Sequence, residues 1–475
     1  MTPLKGLEQE FAGLSLGDTR LERRALAIVT QAALAPAESF PEMLPKAGEL
    51  EGAYRFFQNE SVSGKRLLRP HQLATFERIR EQPFVRIVHD TVALSFGGER
   101  EGLGAIGRSK ATGFYAQVAL AVGAGEARVP LGVVGLETKV YPTLAEKEER
   151  FQKLKRKFDR EKLRTFPSQP IVWSGLKKWT TLPLRLRNPL KGVRAIHVMD
   201  QEADNFEVLQ KLSKNNLHFV VRGSSARRVH AAANKGPLKV QDKLADSEIV
   251  LERRVRLAAR PKPTPAHPLR DERDATLSVR ATRLALAPQG GGRLTLNVVE
   301  VFEPRPPKGE EPINWVLFTN EPIDSPEDVA AVVDHYRARW RIEEYFKALK
   351  TGCSIEKRQL STFEGLQRAL VLFMPVAWHL LAVRTLARQD NTLPATKVLT
   401  PLALIVLSAL AAQIDREMPA NASAYEALLT IAALGGHLKR NGEPGWMTIA
   451  RGYDKLRSAQ AVWLLAAPLE RSDQS

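Results

Sequence analysis

The stretch YRARWRIEEYFKALKTG (336–352) constrains this chain more than any other. Tyr336, Arg339, Glu343, Lys347 and Lys350 recur at steps of three or four residues. In a helix they share an arc about 100° wide, and Trp340 falls inside it. A helix that only packs presents an apolar face, and one that only meets water shows charges of mixed sign. This arc instead sets one carboxylate among four polar or cationic side chains and an indole. A metal-binding carboxylate surrounded by phosphate-binding cations gives that pattern, which points to chemistry on nucleic acid.

Charge supports the same direction. The chain has 475 residues, enough for two or three domains with their own cores. Its 44% hydrophobic and 26% charged content is that of an ordinary globular protein, but its formal net charge of +17 is not. Such a field favours polyanions through counterion release, and nucleic acid is the leading partner class. A basic protein with no such partner is the alternative that charge alone leaves open. The single cysteine, Cys353, excludes an internal disulfide framework and a multi-cysteine metal site. It fits a reducing cytoplasm, and the polar, acidic opening from Met1 to Phe11 does not read as a signal peptide. The longest apolar runs, 369–383 (interrupted by Pro375) and 398–414, fall short of the about 20 residues a span requires and read as core helices, with no membrane role.

The expected fold class is α/β, a mixed sheet flanked by helices with helical regions at both ends. Residues 1–65 read as a helical module: Asp18 caps TRLERRALAIVTQAAL, and LEGAYRFFQN follows a proline break. A DNA-binding module and a packing appendage are both compatible with that pattern. Strands are expected at 84–96, 116–122 and 129–137, then a charged helix at 145–164, a strand at 194–200, a helix at 204–212 and a strand at 218–223. Residues 224–312 change character. Period-two segments at 249–260, 275–286 and 293–303 alternate apolar with basic residues, as in an antiparallel insertion with a positive outer face. A strand at 313–320 returns the chain to the main sheet. One long helix should then start with Ser325 as N-cap and Asp328 in a capping box, and end at Gly352. Residues beyond about 375 read as helical. The resulting division is 1–65, 66–375 and 376–475.

Three carboxylates stand out by setting. Asp90 lies inside an apolar strand, where an isolated charge costs several kcal/mol (about 2–7 even for a neutral polar group) unless paired or metal-bound. Asp200 ends another strand, where helix capping is the simpler role. Glu343 lies amid the cationic arc, where a salt bridge to Lys347 or Arg339 is the simpler role. If the two strands are neighbours and the helix lies beside them, the three converge. Three hard oxygen ligands suit Mg2+ or Mn2+ rather than zinc. Two such ions can activate a nucleophile and stabilise the leaving oxygen at a phosphodiester.

In that order and setting the chain resembles the bacterial cut-and-paste DDE transposases of the Tn-five group, within insertion-sequence family four. The resemblance runs through LGDTRLERR (16–24), EGAYRFFQN (51–59), HDTVALSF (89–96), MDQEADNFEVLQ (199–210), FVVR (219–222), NWVLFT (314–319) and YRARWRIEEYFKALKTG, and persists weakly to GGHLKRNGEPGW (435–446). The signature Tyr-x2-Arg-x3-Glu-x6-Lys is present as Tyr336, Arg339, Glu343 and Lys350. The resemblance implies an RNase H-like catalytic core with Asp90, Asp200 and Glu343 as catalytic metal ligands, and two Mg2+ ions for which Mn2+ can substitute. It also implies that Tyr336, Arg339 and Lys350 hold a phosphate near the cleaved end, and that Trp315 and Trp340 handle a base flipped out beside a DNA hairpin. Arg222 and Lys347 fit phosphate contacts. Arg20, Arg24 and Arg55 are possible contacts to the transposon end. The stretch between Asp90 and Asp200 is longer than the family pattern, with 145–164 as the excess.

The expected function is a transposase that binds terminal inverted repeats on double-stranded DNA, nicks the ends, excises through a hairpin and joins the 3′ ends to target DNA as a synaptic homodimer. A bacterial cytoplasm, at the nucleoid, is the expected location. The alternatives are an RNase H-like structure-specific nuclease and a DNA-binding inhibitor of transposition. The first would not need the tryptophans; the second would be expected to lack a carboxylate, and all three are present.

Overall fold

The computed structural model describes residues 7–107, 111–142, 177–229, 238–257, 269–286, 292–389, 391–438, 440 and 442–466, with scattered positions between 146 and 156. Most of the charged helix expected at 145–164 lies outside the described residues. The strands are β1 (Val85–Phe96), β2 (Gly104–Ala105), β3 (Thr112–Val122), β4 (Pro130–Lys139), β5 (Ala195–Met199), β6 (His218–Gly223), β7 (Arg228–Val229), β8 (Leu238–Lys239), β9 (Ile249–Leu257), β10 (Arg273–Leu286), β11 (Leu294–Phe302) and β12 (Asn314–Thr319). The expected strands are all present, with ends shifted by a few residues. The fold is mixed α/β.

The chain forms two compact units. One comprises residues 82–90 and 169–340. Here β1 pairs with β5 and β5 with β6 in parallel, while β6–β12, β12–β11, β11–β10 and β10–β9 are antiparallel. Parallel pairing needs both faces covered, and the apolar runs AIHVM and FVV supply side chains for each. One core gathers Val208, Leu209 and Leu212 of the Phe206–Lys214 helix against Phe219, Val298 and Phe318. Each fully buried residue of this size contributes about 1.5–3 kcal/mol. Gly223, opposite Val316 on β12, lies directly under the Phe318 ring, where a Cβ would overlap the ring carbons. The Pro326–Arg337 helix packs on β5, β6 and β9–β12 through residues including Val329, Val332 and Val333. On the outer face of β9 and β10, Arg254 pairs with Asp274 at 3.0 Å and Arg256 with Glu272 at 2.8 Å, so its basic residues are partly neutralised across the ladder.

The other unit comprises residues 1–81, 91–168 and 341–475. Its axis is the Phe363–Gln389 helix, which packs on β4 and on the Thr19–Leu34, Ala47–Gln58 and Gly64–Arg80 helices. Asp18 caps the first of these as expected, accepting from the Arg20 N–H at 2.8 Å. The Phe363–Gln389 helix is long and apolar enough to cross a membrane, yet 83% of its most apolar window is buried, which makes it a core helix. It continues through Pro375, although proline removes one helical hydrogen bond. The expected division at residue 375 therefore falls inside a helix, and the amino-terminal helices pack on the same helix as the carboxy-terminal ones. β3 and β4, expected as neighbouring strands, pair antiparallel, and β2, which was not expected, adds to β3.

The single helix expected over 325–352 is a correction. The Ser325–Asp328 capping box is present, but the helix stops at Arg337. The Ala338 and Arg339 N–H groups bond His335 and Tyr336 carbonyls, three residues back rather than four, which tightens a turn. A second helix runs Trp340–Lys347, followed by a π turn at Ala348–Gly352 in which the Cys353 N–H reaches the Ala348 carbonyl at 2.8 Å. The expected arc is thus bent in its middle.

Candidate active site

Parallel pairing of β1 with β5 sets the site. Val88 stands opposite Val198. Two residues further along each strand lie Asp90 and Asp200, both on extended backbone and so on the same face by the two-residue repeat. On the opposite face His89 and His197 form a buried imidazole pair, Nε2 to Nδ1 at 2.8 Å. Burial drives both rings down, His197 to about 3, so the floor beneath the two acids is neutral at ordinary pH.

The two acids differ in what they meet. Asp90 lies 3.5 Å from an Arg339 guanidinium nitrogen, with both side chains mostly buried. Asp200 accepts from the Glu202 N–H at 2.9 Å and caps the Gln201–Ala203 turn, so its simpler structural role is realised. Burial nevertheless lifts its carboxyl above the usual aspartate value; the Glu202 N–H bond and the charges of Arg339 and Lys178 pull the other way without cancelling it. A carboxylate in that state gains from an added cation. The other aspartate of the DQEAD segment, Asp204, accepts from the Ser224 N–H at 2.8 Å and pairs with Arg227, which ties down a loop.

Aromatic and cationic groups lie in the same unit. Tyr336 is 5% exposed, its ring set edge-on to Trp315 with centroids 5.6 Å apart. Burial raises its phenol, which also hydrogen-bonds with Arg222 and feels Arg339 and Asp200. Trp340 is 55% exposed, with Arg339 6.0 Å from its ring centroid. Asp90, Asp200, Arg222, Trp315, Tyr336, Arg339 and Trp340 therefore belong to one compact unit. Tyr336 departs from expectation in being buried rather than presented on an open face, because it packs against Trp315 of β12.

The remaining expected residues belong to the other unit. Glu343 is half-buried in the Trp340–Lys347 helix, and Lys347 is exposed. Lys350, within the π turn, donates to Glu356 at 3.1 Å. Among the described residues no three of His, Cys, Asp and Glu are gathered closely enough to hold a metal ion as they stand. In the amino-terminal helices, Arg20 is exposed and held by Asp18 at 3.1 Å, and Arg55 is exposed beside Glu51. Arg24 lies against the Gly52 backbone and reaches the Glu49 carbonyl at 3.4 Å, so it fastens two helices together.

Three supporting residues escaped the sequence reading. Arg253 of β9 makes a two-pronged pair with Asp334, both bonds 3.0 Å, and buried Arg86 donates to His335 at 3.1 Å. Together they hold the helix that carries Tyr336. Lys178 pairs with Glu202 at 2.5 Å beside Asp200. Arg253 lies in a basic period-two strand and its partner is 81 residues away, so only a charge on the inward phase of β9 hinted at it.

Comparison with known proteins adds two family matches. Residues 5–62 match the family model described as transposase DNA-binding, and residues 180–374 match the transposase DDE domain. The second includes Asp200, Tyr336, Arg339, Glu343 and Lys350; Asp90 precedes it. The chain is also similar to a solved piggyBac transposase synaptic complex with hairpin DNA, at 9% identity over 95% of this chain and 81% of that one, with a TM-score of 0.33. So loose a superposition carries no information on topology or activity. The two matches are to a segment described as transposase DNA-binding and a segment described as a transposase DDE domain, in that order along the chain.

Proposed function

We propose that this chain is a cut-and-paste DNA transposase of the Tn-five group in insertion-sequence family four, with an RNase H-like core and Asp90, Asp200 and Glu343 as metal ligands. The observation that carries the reading is the placement of Asp90 and Asp200 at one level of adjacent parallel strands with Arg339, Arg222 and Tyr336 beside them. The donors are hard carboxylate oxygens, and a buried Asp200 whose ionised form is disfavoured fits a divalent cation such as Mg2+ or Mn2+. A bound pair of such ions supplies a nucleophile at neutral pH and stabilises the leaving oxygen.

The chain's own residues do the positioning. Arg339 pairs with Asp90 and, with Arg222, Tyr336, Lys347 and Lys350, binds phosphate oxygens next to the cleaved bond. Trp315 and Trp340 stack on a flipped base, replacing stacking worth about 1–3 kcal/mol. Arg20 and Arg55, with Arg24 as a structural tie, belong to the segment that meets the terminal repeat. Water first displaces a 3′ oxygen at each end. The freed 3′ hydroxyl attacks the opposite strand and forms a hairpin, a second water opens it, and the 3′ hydroxyl joins target DNA. Each step exchanges one P–O bond for another, so one constellation serves all four. A homodimer brings two ends together.

The test is a short duplex bearing the terminal repeat that flanks this coding sequence, incubated with the full chain, Mg2+ and supercoiled plasmid. Nicks, hairpins and plasmid joints, absent with Glu343→Ala, are expected on a denaturing gel. Nicks without hairpins or joints make the protein a structure-specific nuclease. Binding without cleavage, in Mg2+ and in Mn2+, leaves an inhibitor.

A further inference from the structure

The β1–β5 ladder ends before it reaches the two acids. Its paired residues run from Val85 opposite Ala195 to Val88 opposite Val198. On its other edge β5 stays paired with β6 one residue further, to Met199 opposite Val221. Asp90 and Asp200 thus stand two residues beyond the last β1–β5 pair, where no ladder pair fixes one strand against the other.

A side-chain bond lies in that gap. His89 Nε2 and His197 Nδ1 are 2.8 Å apart, with ring centroids 5.1 Å apart and planes inclined by 32°. His89 immediately precedes Asp90, and both rings are enclosed, at 0% and 1% exposure. In parallel strands covered on both faces, such positions normally take aliphatic side chains. The polar pair is a poor way to hold a core. His89 Nδ1 is buried with no hydrogen-bond partner among the described residues, and the cost of that orphan offsets what one buried hydrogen bond contributes. Two aliphatic side chains in the same space would hold the strands together at least as well. They would not fix the level of one strand against the other. Apolar contacts tolerate sliding, whereas a hydrogen bond keeps its strength only over a narrow range of distance and angle. That matters here, because catalytic groups displaced by about 1 Å can lose about a hundredfold in rate.

We propose that the His89–His197 bond is a positioning device: it sets the level of Asp90 against Asp200, and with it the spacing of the oxygens offered to a divalent cation. His89 and His197 are positioning residues that act through the two acids. The inference rests on the reading of Asp90 and Asp200 as metal ligands and names what holds them level.

The experiment uses the full chain and Mn2+ alone, with binding followed by the relaxation of water protons and a urea melt of every variant. His89→Leu combined with His197→Leu removes both partners and strands neither nitrogen, so its melt should match or exceed the parent's. Its Mn2+ dissociation constant should nevertheless rise about ten- to a hundredfold, the range for groups that orient metal ligands. His89→Gln, whose amide can still bond His197 Nδ1, should stay within about threefold of the parent. Asp200→Asn should abolish the binding. Unchanged Mn2+ affinity in the double variant, with Asp200→Asn inactive in binding, would overturn the positioning role alone. Equal losses in His89→Gln and the double variant would overturn it too, as would a double variant that melts far earlier than the parent, since the pair would then be a packing element. Binding that Asp200→Asn leaves intact would instead remove Asp200 from the metal site, and this inference with it.

Discussion

Arginine is used in two ways in this fold: some arginines end on backbone carbonyls and others on side chains. In the unit built on the Phe363–Gln389 helix, Arg358 and Arg368 end on backbone carbonyls, while Arg78 and Arg384 also reach the carboxylates of Glu10 and Glu344. Arg358 donates to the carbonyls of Pro36 and Cys353 at 2.6 Å and to that of Glu38, and lies near the Phe40 and Phe373 rings. Arg368 donates to the carbonyls of Val62 and Phe57 at 2.9 and 2.7 Å. In the other unit Arg339 ends on Asp90, Arg222 on Tyr336 and Arg253 on Asp334, while Arg227 reaches both the carboxylate and the carbonyl of Asp204. A carbonyl is fixed by the fold, so its arginine is a structural bolt. A carboxylate or phenol can trade its arginine for another ligand. A site that must admit DNA and cations needs partners of the second kind.

The acids differ in the same sense. Glu10 is buried, which opposes ionisation, but hydrogen bonds from His71 and Arg78 outweigh burial and hold its carboxyl at about 2. Asp200 is buried too, and its partners do not outweigh that burial. One acid is fully satisfied by the fold, and the other is left wanting a cation.

The sharpest way to break the comparison is Asp200→Asn. DNA cleavage should fall by more than about a hundredfold, the upper end for residues that merely support a metal ligand. Stability in urea should hold or rise, because a neutral amide avoids the cost of burying a charge. A less stable protein would make Asp200 a structural acid like Glu10. Next in size, Arg358→Ala should lose about 3 kcal/mol or more in a urea melt, since it strands buried carbonyls and opens space between two rings. Arg339→Ala should lose end cleavage at a smaller stability cost than Arg358→Ala, about 1–3 kcal/mol, since it takes one cation from the mostly buried Asp90. Equal stability losses in the two variants would erase the distinction.

Acid titration sharpens the contrast further. Glu10 has a folded value below its unfolded one, so its stabilisation is complete above about 4.5 and is lost as pH falls toward about 2. At neutral pH it amounts to about 3 kcal/mol. Glu10→Gln should remove that amount at neutral pH and flatten the acid limb of a stability–pH curve. The sign for Asp200 is opposite: its folded value is raised, so its ionised form costs stability at neutral pH and the cost fades on acidification. The smallest effect is expected at Arg20, whose exposed pair with Asp18 contributes nothing measurable to folding. Arg20→Ala should leave the melt unchanged, weaken binding to the terminal-repeat duplex, and reduce the salt slope of binding by about one. Unchanged binding would remove Arg20 from the interface.

Much of this was legible in the chain. The run FVRIVHDTVALSF could only be a buried strand, and an acid in it demanded a partner; RAIHVMD gave the second strand ending on its acid. Ser325 and Asp328 announced a helix start that the fold realises atom for atom. Other features were illegible because they depend on residues far apart in sequence. Nothing local marks Arg24 as a tie across Gly52 rather than a DNA contact, or Arg358 as a bolt. The break at Ala338–Arg339 breaks no propensity rule. It follows from packing Tyr336 against Trp315 on one side of the turn and Ile342 and Tyr345 into a core on the other.

By itself, then, the sequence determined the principal element types, the excess of positive charge, and the inventory of acids, cations and indoles from which a site can be made. These are local properties, set by side-chain chemistry and by periods of two and 3.6 residues. Tertiary structure decided which cations are consumed by carbonyls and which face exchangeable partners, that Tyr336 is buried while Trp340 is open, and that Asp90 and Asp200 share one level. Those outcomes rest on strand register and on burial, and both are fixed by contacts among residues that the chain keeps up to hundreds of positions apart.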